Sequence, residues 1–152
     1  MVLDIELSLV SLDEDKKSDR IDVLLYSKEK KELQLVEAKH YSNPEIWSKS
    51  IPKVINQIVK YQNQLTVKSP DILNAYISYV KSVNSLFDIS LPIPLKVNPH
   101  VILFVFGFDD DQKRGRLTTL ILKKKEFKGV YNYCKGETKN MKIIPLWNAK
   151  PL

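Results

Sequence analysis

The chain has 152 residues, 43% of them hydrophobic, enough for one compact α/β-sized domain with its own core spanning 1–152. A single cysteine, Cys134, excludes an internal disulfide and any CxxC pair for zinc or redox work. No apolar run approaches the roughly 18 residues of a membrane span and none has the form of a signal peptide, so the expectation is a soluble, cytoplasmic protein without a membrane partner.

The formal charge of +6 is unevenly spread. Residues 1–40 hold 7 basic and 10 acidic side chains, residues 41–99 hold 6 and 3, and residues 100–152 hold 11 and 5. An acidic first third beside a basic last third suits a chain that holds cations with one part and phosphates with another. A lysine-rich solvated surface gives the same numbers.

The chain opens extended, with Ile5, Leu7 and Leu9 alternating with polar residues. After a polar connection over 13–19, the runs IDVLLY (21–26) and LQLVEAK (33–39) read as strands. The SKEKKE segment (27–32) between them is short enough to close an antiparallel hairpin. At Ser42-Asn43-Pro44-Glu45, Asn43 is a good N-cap and Pro44 suits a first helical position. Pro52 divides the helical region that follows. From there to about Thr66, the residues Val54, Ile58, Tyr61 and Leu65 make a helical stripe, and Lys53, Gln57, Lys60, Tyr61 and Gln64 make a polar stripe beside it. Ser69-Pro70-Asp71 repeats the cap-and-proline signal and predicts a second helix to about Phe87, with Ile72, Ala75, Tyr76, Tyr79 and Val83 on one side. Residues 91–99 are an irregular proline-rich crossing. The continuous apolar run Val101–Phe108 predicts a central strand covered on both faces. Residues 109–115 read as a turn or helix start, 116–126 fit helix or strand, and MKIIPLW (141–147) reads as a late strand. The order predicts an α/β fold: a central mixed sheet flanked by helices.

Five Glu-x-Lys pairs occur in the chain. Only Glu37 and Lys39 end an apolar strand, where i and i+2 share a face and two charges carry a desolvation cost that calls for partners or a task. Asp22 opens the preceding strand, and the hairpin would bring its carboxylate beside that of Glu37. Two such carboxylates repel unless a cation lies between them. Mg²⁺ suits the position, because it takes oxygen ligands and binds through one or two carboxylates, with the Ala38 carbonyl as a further oxygen.

The set Asp22…Glu37-Ala38-Lys39 resembles the motif of the PD-(D/E)XK, restriction-endonuclease-like nuclease superfamily. The likeness covers roughly residues 4–65, and Gln57 followed four residues later by Tyr61 matches a helix found in many members. The resemblance implies a restriction-endonuclease-like fold and Mg²⁺- or Mn²⁺-dependent hydrolysis of phosphodiester bonds in a nucleic acid, with DNA the expected substrate and the choice between DNA and RNA left open. Asp22, Glu37 and Ala38 would hold the metal. Lys39 would act on the attacking water or steady transition-state charge, and Gln57 would position the helix, the water or a phosphate. The alternative is a non-catalytic nucleic-acid-binding or assembly module that keeps the fold. A homodimer, or a place in a larger assembly, is a further expectation, with the 72–87 helix as a candidate interface.

Three features depart from the family pattern. Ile21 rather than proline precedes Asp22, Asp19 competes for the first metal position, and the chain opens in a strand rather than a glutamate-bearing helix. The last point leaves either a shortened chain or a helix lent by a partner, and Glu6 as a spare carboxylate. Lys53, Lys60, Lys123, Lys124 and Lys125 are candidates for gripping nucleic acid. Tyr61, His40, His100 and Trp47 read as packing residues, the run 109–111 as a solvated helix start, and Cys134 shows no nucleophile signature.

Overall fold

The computed structural model describes residues 1–9, 18–47, 52–122 and 132–135. Strands β1 (Val2–Leu9), β2 (Asp19–Ser27) and β3 (Glu32–His40) are followed by a 3-10 turn (Pro44–Ile46) and helix α1 (Lys53–Phe87). Then come β4 (Lys96–Val97), β5 (Ile102–Phe106), α2 (Asp110–Gln112), a wide helical segment (Lys113–Leu122) and β6 (Asn132–Lys135). Strand order is β1-β2-β3-β5-β6, with β4 also beside β3. The sheet is mixed, as the sequence predicts. The chain divides into two compact units, Met1–Val36 with Tyr61–His100, and Glu37–Lys60 with Val101–Leu152.

The first unit is built on the predicted hairpin. Its register pairs Ser27 with Glu32, Tyr26 with Leu33, Leu24 with Leu35 and Val23 with Val36. Opposed residues of an antiparallel pair share a face, and Leu24, Tyr26, Leu33 and Leu35 are all fully buried. Gln34, on the other face, donates to the carbonyl oxygens of Leu35 and His100. Strand β1 lies antiparallel on β2, with Leu7 opposite Ile21 and a register shift between Val2 and Asp4. The predicted alternation of Ile5, Leu7 and Leu9 fails at its start: Glu6 has φ 54, Ile5 is exposed and Leu9 is buried. A left-handed residue turns the strand and breaks its period of two.

The two predicted helices are one helix of 35 residues with Pro70 inside it. The expected break rests on the donor that proline lacks. The apolar stripe overrides it, because Leu65, Ile72, Tyr76 and Val80 are buried on both sides of the proline. Ser69 Oγ donates to the Leu65 carbonyl beside it, adding a side-chain bond where the backbone ladder is interrupted. The buried side is Ile72, Tyr76 and Val80, whereas Ala75 and Tyr79 of the predicted side are exposed. The proline-rich crossing is tied down by its backbone: Leu95 N donates to Lys31 O and Asn98 N to Leu33 O, leaving Lys96 and Val97 parallel to β3.

In the second unit the end of β3 lies beside β5, with Tyr41 N donating to Phe106 O. Val101, Ile102, Leu103 and Val105 are buried, in keeping with a central strand. Parallel β6 pairs Leu103 with Asn132 through to Phe106 with Lys135, so this segment supplies a strand that the sequence does not signal. Asp109 caps α2 in a reciprocal capping box with Gln112, the helix start expected of the acidic run. The segment after it is helical in backbone apart from Gly115 at φ −88, ψ −107. The predicted strand at 141–147 lies outside the described residues. Among the described residues no helix is long and apolar enough to cross a membrane.

Candidate functional site

The end of β3 carries the charges. Glu37 is 1% exposed, and both Glu37 and Lys39 lie on the face that Leu33 and Leu35 bury, as the strand period requires. Lys39 Nζ is 2.7 Å from Glu37 Oε1 and 2.9 Å from Glu45 Oε2. The second oxygen of Glu37, Oε2, is also closed off from solvent. Burial pulls the Lys39 ammonium downward, but hydrogen bonds and charges from Glu37 and Glu45 outweigh it and leave its pKa above the ordinary value. Lys39 is therefore a cation at neutral pH.

Sequence spacing assigns Glu45 no role beyond its place in a helix-start signal. That signal is what positions it: Asn43 Oδ1 accepts from Glu45 N at 2.9 Å, and Pro44 opens the turn. The cap fixes the backbone of Glu45, and its side chain closes on Lys39 from outside the strand. A carboxylate brought in from a turn has no strand spacing to reveal it.

His40 projects to the other face, as expected. Its Nδ1 lies 2.8 Å from Ser42 Oγ, and its ring meets Phe106 edge to face. Gly107 has φ +76, and a Cβ there would fall 2.3 Å from His40 Nε2, so only glycine fits beneath the ring. Trp47 donates Nε1 to Tyr41 O and packs edge-on against the Tyr41 ring, the structural role expected of it.

In the first unit, Asp22 is half-buried on β2 and shares the face of Leu24 and Tyr26. Its strand neighbour Val23 pairs with Val36, the residue before Glu37. Asp19, the competitor for the metal position, accepts from Gln64 Nε2 at 2.7 Å. Tyr61 OH donates to Arg20 O at 2.9 Å. Tyr61 is buried and fastens the start of β2, the packing role expected of it, and Gln64 of the polar stripe is buried beside Asp19 as well. Glu6 is exposed and paired with the equally exposed Arg20 side chain at 3.3 Å.

Of the remaining predicted residues, Gln57 is half-buried, Lys53 and Lys60 are exposed, and Ala38 is half-buried between Glu37 and Lys39. Lys123, Lys124 and Lys125 lie outside the described residues. Among the described residues no group of three or more His, Cys, Asp or Glu side chains is placed to hold a metal ion. Mg²⁺ commonly takes only one or two protein carboxylates and completes its sphere with water and phosphate. Compared with known proteins, the chain matches no family model, no curated protein and no solved structure.

Proposed function

We propose that this protein is a divalent-metal-dependent nuclease of the PD-(D/E)XK kind, hydrolysing phosphodiester bonds of DNA in the cytoplasm. The observation that carries the reading is the buried Glu37 carboxylate, joined to Lys39 on one face at the end of a core strand. A charge pair in such a place is costly to desolvate, and a hydrophobic pair of similar volume is often the more stable choice. Its presence asks for a use.

In this reading Asp22, Glu37 and the Ala38 carbonyl would hold Mg²⁺ or Mn²⁺, which when bound acidifies a water and offsets charge on the scissile phosphate. Lys39, held protonated by two carboxylates, is assigned to electrostatic stabilisation of the phosphate oxygens rather than to proton abstraction. Glu45 keeps the ammonium in place before substrate arrives. Gln57 is assigned a positioning role, toward a water or a backbone phosphate.

The test is cleavage of single-stranded, duplex and branched DNA with Mg²⁺ or Mn²⁺, then with EDTA. The expected result is metal-dependent product that falls by at least about 100-fold in Lys39→Ala, the scale of losing one transition-state donor. Full cleavage by that variant overturns the lysine role. A second reading, a DNA-holding or assembly module without catalysis, draws on Lys39 being bound by both carboxylates at once. Retention of DNA in EDTA with no product under any metal condition selects it.

A further inference from the structure

Three exposed cations, Lys113, Arg114 and Arg116, occur within four residues beyond the Asp109 cap. The Arg116 guanidinium lies over the Trp47 ring, 4.3 Å from its centroid. Trp47 is itself held by its bond to Tyr41 O and by the Tyr41 ring. It also follows Glu45 by two residues, and Glu45 is the turn carboxylate that grips Lys39.

We propose that Arg116, stacked on Trp47 and flanked by Lys113 and Arg114, forms a surface that holds the phosphate backbone of a nucleic acid; its role as a substrate grip rests on the nuclease reading. Stacking engages the face of a guanidinium, whereas hydrogen bonds to phosphate run in its plane. A guanidinium already flattened on an indole therefore loses less side-chain entropy when phosphate binds. Arg114 is paired with Asp111 at 2.9 Å, but the two side chains are 76% and 92% exposed, and such a pair exchanges readily for a phosphate. By sequence, residues 100–152 hold 11 basic against 5 acidic side chains, a balance that suits a polyanionic ligand.

The experiment uses the full chain and fluorescein-labelled single-stranded and duplex DNA, read by anisotropy in EDTA. Three phosphate contacts predict that affinity falls roughly 20- to 40-fold between about 50 and 200 mM salt. Arg116→Ala should weaken binding about tenfold and reduce the salt slope by about one. Arg116→Lys and Trp47→Leu keep the charge, so each should weaken binding several-fold with the slope unchanged; a merely electrostatic surface would leave both at parental affinity. Parental affinity and slope in Arg116→Ala overturn the proposal, as does displacement by poly-glutamate as effective as by DNA. If Trp47→Leu fails to fold, the two Arg116 variants decide between the outcomes. DNA binding that obeys these rules without cleavage in Mg²⁺ leaves the surface standing and removes the nuclease reading. Metal-dependent cleavage with DNA binding indifferent to Arg116 does the reverse.

Discussion

Replacing Lys39 by methionine keeps the stem and removes the ammonium from between Glu37 and Glu45. Glu37 is 1% exposed and the Lys39 side chain 11%, so the change strands a buried carboxylate rather than loosening a surface contact. Breaking a buried pair from one side costs about 3–5 kcal/mol. The partial exposure of Lys39 favours the lower end, near 3 kcal/mol. For a chain of this length that corresponds to a fall in Tm of roughly 6–12 °C. The assay is thermal unfolding by circular dichroism, with Arg20→Ala as internal control. The Arg20–Glu6 pair is 64% and 65% exposed, and its loss should move Tm by less than about 2 °C. Adding Glu37→Gln to Lys39→Met should restore at least about half of the lost stability, because no buried charge is left behind. If Lys39→Met melts within about 2 °C of the parent, the buried-pair reasoning is wrong.

The raised pKa of Lys39 implies an alkaline signature: its contribution is complete below the ordinary value of 10.5 and is lost as pH rises through the higher folded value. Tyr26 and Tyr76, raised chiefly by burial, erode stability in the same direction, so the measurement is the difference between parent and Lys39→Met urea midpoints across about pH 9–11.5, which should narrow as pH climbs. Gly107→Ala adds left-handed strain of about 1–2 kcal/mol to the clash with His40, and His40→Ala in the same chain should recover the clash but not the strain, read by urea unfolding. Tyr61→Phe removes the donor to Arg20 O and should lower stability by about 1 kcal/mol in the same assay.

The hairpin and the charged end of β3 are legible because both depend on a period of two. Apolar residues at 24, 26, 33 and 35 fix the buried face, and the same parity carries it on to Glu37 and Lys39. The break expected at Pro70 has a local cause and a tertiary correction. Proline chemistry argues for a boundary, whereas the stripe from Leu65 to Ile72 needs only the total buried surface to outweigh one missing bond. Glu45 and Gln64 are hidden for a different reason. Each reaches its partner across a distance in sequence set by folding, Glu45 to a strand six residues back and Gln64 to Asp19 from 45 residues on. Residue spacing encodes contacts within an element and across a hairpin, and it is silent on side chains that meet from elements of other kinds. The Trp47–Arg116 stack belongs to the same class, joining positions 47 and 116.

The nuclease proposal requires a divalent ion whose binding depends on Glu37 and on Asp22. Isothermal titration of Mn²⁺ into the full chain, into Glu37→Gln and into Asp22→Asn tests it with no substrate present. One ion should bind the parent, and either single substitution should weaken it at least about tenfold, with Glu6→Gln as parental control. Equal stoichiometry and affinity in Glu37→Gln contradict the account.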